Sequence, residues 1–399
     1  MEKPAIAGGN PQRSTPIYYG KQYIDEDDIK AVCDVLRSDY ITCGPLIGKL
    51  EEKICKVTGA KYAVCVSNGT AALHIAAMAA GFKPGDEVIV SCITFAASAN
   101  CIRYCGATPV FADIDPLTLN IDADRIESLI TPKTKGIVAV DFAGQPVDND
   151  RIRDICKRHN LVFIEDAAHA MGSTYKGKGV GSLADMTCFS FHPVKTVTCG
   201  EGGCVTTNDE DTYKHLLRLR SHGITRDQSQ MNNPSDDPWY NEMVELGFNY
   251  RLTDFQAAML MSQLDKLPKF IQRRNEIASC YEEAFKDEEV VKTQKITDDV
   301  TLGRHLYTIE IDTDKLTVGR REFFDALNAE NIHCQVHYLP VYMHSYYEKL
   351  GYKKGLCPNG EKYYERALSL PLFYTMTDSD VKDVISGVKK LTHWFKRDK

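Results

Sequence analysis

Short apolar segments rich in β-branched residues alternate with helical segments from about residue 60 onwards. Apolar positions at helical spacing between these segments predict amphipathic helices, for example over 122–130 and 149–159. The segments that we expect to form strands are 62–66, 87–90, 108–111, 136–140, 161–164, 186–191 and 203–206. This alternation predicts an α/β domain with a mainly parallel sheet and helices on both faces. In such sheets, ligands bind beyond the carboxyl ends of the strands.

The pattern changes on either side of this region. Residues 1–19 lack a clear period and are expected to form an irregular arm, and the polar, proline-containing residues 225–240 predict a long surface loop. The later elements expected are a helix at 253–285, a strand at 306–311, a helix at 320–330 and an extended segment at 333–338. The predicted division is an arm (1–19), a large domain (20–265) and a smaller α+β domain (266–399).

Composition limits the classes of function. The chain has 399 residues, of which 43% are hydrophobic and 26% are charged, which is typical of a globular protein large enough for two domains. Its net charge of -7 argues against a nucleic-acid-binding surface. The sequence contains neither an apolar run long enough to span a membrane nor the apolar segment of a secretory signal. We therefore expect a cytoplasmic location.

The 14 cysteines are interpreted as reduced thiols, which agrees with that location. Cys92, Cys101 and Cys105 lie close together in the sequence, so a metal site is one interpretation of them. However, the chain has no Cys-x-x-Cys pair, and cysteine often serves as a small buried apolar residue. We therefore expect buried cysteines and no metal site.

Lys195 is the most informative residue of the chain. It comes after the apolar segment 188–191, which contains Ser190, and after His192. A glycine-rich turn at 200–203 follows it. A lysine removed from water in this way can lose its proton near neutral pH, and a neutral amine can form a Schiff base with an aldehyde. Taken alone, the same pattern also suits an ordinary solvated lysine beside a turn.

Residues 67–70, Ser-Asn-Gly-Thr, follow the predicted strand 62–66 and open an alanine-rich helix. Gly69 would let the backbone approach an anion closely, and the helix N-terminus offers unpaired N–H groups. Thr70 adds a hydroxyl group. These features suit a phosphate group, but a plain strand–turn–helix with a polar capping residue fits them as well.

Two further predicted strands lead to residues that suit a cofactor ring. Asp166 follows the strand 161–164, where its carboxylate can pair with a protonated pyridine nitrogen, although it can also cap a helix. His169 can cover the ring or bond its phenolic oxygen, or it can be a structural histidine. Phe95 follows the strand 87–90 and can stack on the other face of the ring, although composition alone favours a place in the core.

These elements gain weight from their order. A phosphate-type turn, a stacking aromatic residue, an aspartate and a lysine follow one another along the chain, each at the end of a predicted strand. This order predicts an α/β domain of the aspartate-aminotransferase type, fold type I, which binds pyridoxal 5′-phosphate. Lys195 and Asp166 are the predicted catalytic residues.

The chain resembles the DegT/DnrJ/EryC1/StrS family of sugar aminotransferases over nearly its whole length, roughly residues 17–395. The runs at 190–195 (Ser-Phe-His-Pro-Val-Lys) and 249–251 (Asn-Tyr-Arg) are highly specific for the family. Other resembling runs are 19–22, 66–73, 142–146, 165–170, 220–224, 246–254 and 336–338. Much of the family has Gln where this chain has His169, and the histidine agrees with the pseudaminic acid branch. A related dehydratase branch replaces the catalytic lysine with histidine, and the presence of Lys195 disfavours that branch.

The resemblance implies a role for each matching residue. Lys195 would bond covalently to the cofactor, and Asp166 would pair with its ring nitrogen. The other residues implied in cofactor binding are Gly69, Thr70, Phe95, His169, Ser190 and Asn249. The residues implied in binding the nucleotide sugar are Tyr19, Asp39, Tyr40, Ile41, Thr42, Arg251, Gln335, Val336, His337 and Tyr338. Asn249 would reach the phosphate of the neighbouring subunit's cofactor, which implies a homodimer with shared active sites.

The resemblance also implies a reaction. An amino group would pass from L-glutamate to C4 of a UDP-linked 4-keto-6-deoxy-N-acetyl hexose, in pseudaminic acid biosynthesis. An aminotransferase acting on another nucleotide sugar, of the perosamine, legionaminic or aminoarabinose type, would share the same cofactor site. A pyridoxal-phosphate-binding regulator without turnover is a third possibility, but the chain has neither the room nor the basic patch for a DNA-binding module.

Overall fold

A computed structural model describes residues 2–397 of the chain. Met1 of the predicted arm, and Asp398 and Lys399 of the predicted C-terminal domain, lie outside the described residues. The helices are α1 (Glu26–Leu36), α2 (Leu46–Thr58), α3 (Gly69–Ala79), α4 (Ala97–Tyr104), α5 (Ala123–Ile126), α6 (Asn149–His159), α7 (Glu210–Arg220), α8 (Asp254–Phe285), α9 (Arg320–Ala329), α10 (Ser345–Lys349), α11 (Pro358–Arg366) and α12 (Asp378–Phe395).

The strands are short, between two and seven residues long. They are β1 (Ile17–Tyr18), β2 (Tyr62–Val66), β3 (Glu87–Ser91), β4 (Thr108–Ala112), β5 (Thr134–Val140), β6 (Val162–Asp166), β7 (Thr174–Tyr175), β8 (Lys178–Gly179), β9 (Met186–Ser190), β10 (Gly203–Thr207), β11 (Ile224–Thr225), β12 (Glu242–Met243), β13 (Val291–Thr293), β14 (Val300–Thr301), β15 (Tyr307–Ile311), β16 (Ile332–His333) and β17 (Ala367–Leu370).

Seven strands form the central sheet, in the order β2–β10–β9–β6–β5–β3–β4. Strands β3, β4, β5, β6 and β9 pair in parallel, whereas β10 is antiparallel to both of its neighbours, β2 and β9. The predicted mainly parallel α/β sheet is therefore confirmed. Because only β10 is reversed, the carboxyl ends of all the other strands lie along one edge of the sheet.

The sheet buries both of its faces, as a mainly parallel sheet must. On one face, side chains such as Val64 and Val66 pack with helices α3, α4 and α7. On the other face, alternate residues such as Ala63 and Cys65 pack with helices α2 and α8, and Ile137 packs with α6. The two-residue period of each strand thus separates two cores.

Helix α8 connects the sheet to the C-terminal part of the chain. Leu267 and Phe270 belong to the core beneath the sheet, whereas Ile277 and Tyr281 pack with β13, β15, β17, α9 and α12. The predicted boundary between residues 265 and 266 falls inside this helix, which is continuous through Pro268. The division into domains stays a prediction, and the change of core occurs within one helix between residues 270 and 277.

Two segments differ from the sequence prediction, and a third agrees with it. The helix expected at 122–130 is the short α5, continued by a 3-10 turn to Leu129. The extended segment expected at 333–338 is a strand only at its start, because the chain then turns towards a cavity described below. The loop expected at 225–240 is confirmed, and its two ends are joined by the pairing of β11 with β12. Residues 2–397 contain no helix that is both long and apolar enough to cross a membrane. The cytoplasmic location stays a prediction.

The N-terminal arm is held against the C-terminal part of the chain. Strand β1 pairs in parallel with β16, and the buried carboxylate of Glu330 accepts hydrogen bonds from the backbone N–H groups of Ala5 (2.8 Å) and Gln12 (2.6 Å). The Lys390 ammonium lies 3.0 Å from Glu330 and also donates to the carbonyl of Asn10. The arm is therefore anchored by a buried ion pair, which places Tyr19 beside the sheet edge.

We predict that Glu330→Ala destabilises the fold strongly. The substitution removes the acceptor of two arm N–H groups and the buried carboxylate that pairs with Lys390, which keeps only the carbonyl of Asn10 and a 3.8 Å contact with the exposed Glu2. Breaking a buried ion pair in this way costs about 3–5 kcal/mol of unfolding free energy. Chemical denaturation followed by circular dichroism measures this loss. Asp325→Ala is the control, because it removes an exposed ion pair with Arg321 on the neighbouring helix α9 and should leave the midpoint nearly unchanged. Equal midpoints for the two variants would contradict the prediction.

Candidate active site

A cavity of about 1260 Å³ lies at the edge where the carboxyl ends of the strands meet. Its walls come from the segments that follow β2, β3, β6 and β9, together with Tyr19 from the arm and His305, His337 and Tyr338 from the C-terminal part. This position agrees with the expectation that ligands bind beyond the carboxyl ends of parallel strands.

Lys195 lies in this cavity, on the connection from β9 to β10. A backbone hydrogen bond of 2.9 Å from its N–H to the carbonyl of His192 fixes the turn. The side chain is half-buried, and its Nζ atom has no hydrogen-bond partner within residues 2–397. Burial lowers the pKa of Lys195 to about 8, although the nearby Asp166 carboxylate acts in the opposite direction. The interpretation of Lys195 as an ordinary solvated lysine is therefore wrong.

Asp166 is the last residue of β6 and is only 5% exposed. Its Oδ1 atom accepts the N–H of Ala168 at 3.1 Å, and its Oδ2 atom accepts the hydroxyl of Ser98 at 2.6 Å. Burial raises the pKa of Asp166, while these two hydrogen bonds and the charge of Lys195 oppose the rise. A tight turn follows Asp166 instead of a helix, so the helix-capping interpretation is wrong.

The start of α3 forms a cradle for an anion. Asn68 caps the helix by accepting the N–H of Ala71 at 2.8 Å, as the simpler interpretation predicted. The N–H groups of Gly69 and Thr70 nevertheless have no acceptor in the part of the chain that is described, so they remain available to a ligand. Ser190 faces this turn closely: a Cβ atom on Gly69 would lie 2.8 Å from the Ser190 Cβ. Only glycine leaves room here.

His169 is a buried, neutral imidazole. Its Nδ1 atom accepts the N–H of Ala143 at 3.3 Å, so the ring proton is assigned to Nε2, which lies 3.2 Å from the hydroxyl of Tyr338. Its ring centroid lies 4.5 Å from that of His305. Burial, followed by the charge of Lys195, holds the pKa of His169 well below its usual value. The histidine therefore offers an N–H donor rather than a positive charge.

Aromatic side chains close the cavity on the side of the arm. Phe95 is 62% exposed in the turn before α4, so the core position favoured by composition is wrong. Its ring centroid lies 6.3 Å from that of Tyr338, and Tyr19 lies 5.3 Å from His337 in the same way. The Nδ1 atom of His337 bonds the Ser369 hydroxyl at 2.8 Å, which orients the imidazole.

Several predicted residues do not line the cavity of a single chain. Thr42 bridges to Thr253, and the carbonyl of Ile41 accepts the N–H of Asp254 at 3.0 Å, so this turn lies against the start of α8. The predicted residues that do not line the cavity are Asp39, Tyr40, Ile41, Thr42, Asn249, Arg251, Gln335 and Val336. Their proposed roles stay predictions. By contrast, the cavity contains all the other residues predicted for the site.

Sequence reasoning missed Ser98, which bonds Asp166 without itself lining the cavity, and two residues that do line it, His305 and His74. Ser98 belongs to the run after β3 in which only Phe95 was singled out. His305 precedes the predicted strand 306–311, and nothing in its local sequence indicates a site. His74 bonds the hydroxyl of Tyr250 at 3.1 Å across a sequence separation that no local pattern reveals.

The cysteines that lie close together in the sequence are not the ones that lie close together in the structure. Cys92 lies with Asp113 and Cys357, whose ligand-type atoms are all within 4.8 Å of one another, and not with Cys101 or Cys105. The Asp113 carboxylate accepts N–H groups of Asn359 (2.9 Å) and Gly360 (2.8 Å), so it caps helix α11. Cys92, Cys101 and Cys357 are buried, as expected for small apolar side chains, and Cys105 is partly exposed.

The sheet, the strand-end lysine and the strand-end aspartate define a fold type I enzyme that depends on pyridoxal phosphate. The model of the DegT/DnrJ/EryC1/StrS aminotransferase family matches residues 22–389. The chain belongs to this family and is a sugar aminotransferase. The possibility of a regulator without turnover is therefore set aside.

Curated relatives extend over almost the whole chain. It is 42% identical to the spore coat polysaccharide biosynthesis protein SpsC of Bacillus subtilis, over 94% of this chain and 96% of that one. It is 38% identical to the UDP-4-amino-4,6-dideoxy-N-acetyl-beta-L-altrosamine transaminase of Campylobacter jejuni, over 92% of this chain and 95% of that one.

Solved structures agree with this assignment. Helicobacter pylori PseC, an aminotransferase involved in the biosynthesis of pseudoaminic acid, superposes with a TM-score of 0.88 at 33% identity, covering 96% of this chain and all of that one. The PLP form of the sugar aminotransferase Spr1654 from Streptococcus pneumoniae superposes with a TM-score of 0.88 at 32% identity, covering 95% and 99% of the two chains.

The residues of the cavity fit pyridoxal phosphate. Lys195 offers an amine whose pKa is lowered to about 8 by burial, and Asp166 offers a carboxylate for a protonated ring nitrogen. The free N–H groups of Gly69 and Thr70, with the hydroxyl of Ser190, offer donors for a phosphate group.

We predict that Gly69→Ala weakens cofactor binding. The new Cβ atom must displace Ser190 or the start of α3, so at least one charge-assisted hydrogen bond to the phosphate is lost. The dissociation constant for pyridoxal phosphate, measured by fluorescence titration, should rise about 10- to 100-fold. Gly48→Ala is the control, because an added Cβ meets no atom within 4 Å in helix α2. Unchanged affinity in Gly69→Ala would refute the assignment of the cradle.

The lowered pKa of Lys195 predicts how the cofactor-free protein captures pyridoxal phosphate. Only the neutral amine reacts, and burial disfavours the charged form, so the neutral fraction grows until the pH passes about 8. The capture rate, followed by absorbance, should rise about tenfold per pH unit below this value and then level off. A rate that keeps climbing to about pH 10 would indicate an unshifted lysine and contradict the prediction.

Proposed function

We propose that the enzyme transfers an amino group from L-glutamate to C4 of UDP-2-acetamido-2,6-dideoxy-β-L-arabino-hex-4-ulose, a step of pseudaminic acid biosynthesis. The observation that carries this proposal is the likeness to the Campylobacter jejuni altrosamine transaminase over 92% of the chain. The likeness to PseC supports the same pathway. His169, which departs from the usual glutamine of the family, is consistent with this branch.

We further propose that Lys195 and Asp166 carry the chemistry. Pyridoxal phosphate, when bound, supplies a carbonyl group that accepts the amino group. Its ring withdraws electrons from the carbon atom that loses its proton. Lys195 would hold the cofactor, and its Nζ, when free and neutral, would take the proton from Cα of the amino donor. The hydrogen bonds from Ser98 and Ala168 favour the ionised form of Asp166, which would keep the proton on the ring nitrogen.

Neutral groups are proposed to position the substrates. Phe95 would cover one face of the ring and His169 the other, and the Nε2–H of His169, 3.2 Å from the hydroxyl of Tyr338, would orient that hydroxyl. Tyr19 and His337 then line the entrance used by the sugar. This arrangement orients a keto sugar without placing a fixed positive charge next to Lys195, which would lower the pKa of the amine further.

The anionic substrates indicate a contribution from a second copy of the chain. Among the described residues that line the cavity, Lys195 is the only lysine or arginine. Arg251 is half-buried and has no ion pair among the residues described, and the exposed Asn249 lies two residues before it. We propose that Asn249 and Arg251 of each subunit complete the site of the other in a homodimer. A diphosphate or the donor's carboxylate would then meet a cation.

A second nucleotide sugar is the alternative. The identity with SpsC, at 42%, exceeds that with the altrosamine transaminase, at 38%. SpsC is described as a spore coat polysaccharide biosynthesis protein, so this observation favours an aminotransferase for another keto sugar. The residues around Lys195 would act in the same way, and only the contacts with the sugar, around 39–42 and 335–344, would differ.

Product analysis tests the proposal. The holoenzyme is incubated with ¹⁵N-labelled L-glutamate and a panel of UDP- and dTDP-linked keto sugars, and each product is identified by NMR. We expect a labelled amine at C4 of the UDP-linked N-acetyl hexose and no turnover with Lys195→Ala. Turnover of another keto sugar alone would reject the proposed substrate. Full activity of Lys195→Ala would reject the role of the lysine.

A further inference from the structure

A chain of two hydroxyl groups leads to the carboxylate of Asp166. The Oγ1 atom of Thr94 lies 2.6 Å from the Oγ of Ser98, and the Oγ of Ser98 lies 2.6 Å from the Oδ2 of Asp166. All three side chains are buried, with exposures of 2%, 0% and 5% respectively. The polar groups are thus held away from water and depend on one another for partners.

The direction of this chain follows from hydrogen-bond chemistry. An ionised carboxylate only accepts, so the single hydroxyl hydrogen of Ser98 must point at Asp166. The carbonyl of Phe95 competes for that hydrogen, but at 3.3 Å it is a much longer contact. Thr94 must then donate to Ser98. The sequence of donors therefore runs one way, from Thr94 through Ser98 to Asp166.

The geometry points to Ser98 as a positioning residue that, oriented by Thr94, aims the Asp166 carboxylate and keeps it ionised for the ring nitrogen of the cofactor. This inference rests on the role proposed for Asp166. Each carboxylate oxygen then has one fixed donor, since Oδ1 accepts the N–H of Ala168. Two donors on opposite oxygens prevent the carboxylate from rotating and leave lone pairs free for the ring N–H.

Burial makes this donor necessary. Asp166 sits in a low-dielectric site that raises its pKa, and the bond from Ser98 is the largest contribution in the opposite direction. A protonated Asp166 could no longer hold a proton on the ring nitrogen. Ser98 is also well placed, because the turn at the start of α4 carries both Phe95 and Ser98. The N–H of Ser98 donates to the carbonyl of Phe95 at 3.2 Å. One turn thus sets both the ring-covering aromatic side chain and the carboxylate.

The test compares Ser98→Ala and Ser98→Thr holoenzymes across pH. Losing the donor raises the pKa of Asp166. On acidification, the variant should therefore lose its activity at a higher pH than the wild type does. We expect the acid limb of kcat/KM for the amino donor, and the matching change in cofactor absorbance, to move up by about 1–2 pH units. Ser98→Thr keeps a hydroxyl and should restore the limb, and Thr94→Val should shift it less, in the same direction.

Thr187→Val provides the matched control. Its hydroxyl donates at 3.0 Å to Glu165, the neighbour of Asp166 on β6, and the bond is equally buried but does not line the cavity. We expect this variant to keep the wild-type acid limb and absorbance. An unshifted limb in Ser98→Ala, or an equal shift in Thr187→Val, would overturn the inference.

Asp166→Asn separates this inference from the proposed role of Asp166. If Asp166→Asn keeps full activity and tight cofactor binding, the proposed role of Asp166 fails, and the inference about Ser98 fails with it. If Asp166→Asn is inactive while Ser98→Ala behaves as wild type in both readouts, the role of Asp166 stands and only the inference about Ser98 is rejected.

Discussion

The parallel pairing of β6 with β9 is the constraint on which the site depends. It brings Asp166, at the end of β6, and Lys195, just beyond β9, to adjacent positions at one edge of the sheet. Burial pushes each group towards its neutral form, while each group's charge favours ionisation of the other. The balance leaves a lysine that loses its proton readily, because the desolvation of Lys195 outweighs the attraction of one nearby carboxylate.

The reversed strand β10 follows from the same requirement. A parallel strand after β9 would carry the chain away over a face of the sheet, but an antiparallel strand keeps the connection at the carboxyl edge. Residues 191–202, including Lys195, therefore stay above the cavity. The return is tight: a Cβ atom on Gly203 would lie 2.3 Å from the carbonyl oxygen of Asn68. Glycine at 203 lets β10 enter the sheet beside the start of α3.

Local patterns were sufficient for the strands and for the residues at their ends. Lys195, Asp166 and Gly69 each follow an apolar segment directly, so the strand prediction also placed their side chains. Ser98 and His305 could not be found in this way, because their places depend on distant contacts, those of Ser98 with Asp166, 68 residues away, and of His305 with His169. The residues 39–42 show the opposite limit, since a motif identified them but one chain does not bring them to the cavity.

Two adjacent acidic residues on β6 have different roles, one in the core and one at the cavity. Glu165 and Asp166 point to opposite faces because side chains alternate along a strand. Glu165 is fully buried and satisfied by Asn149 at 2.9 Å and Thr187 at 3.0 Å, so it serves the core. Asp166 has one donor on each oxygen and retains lone pairs facing the cavity. A one-residue change of register would exchange the two carboxylates, so the apolar pattern that fixes the register of β6 also decides which acid meets the cofactor.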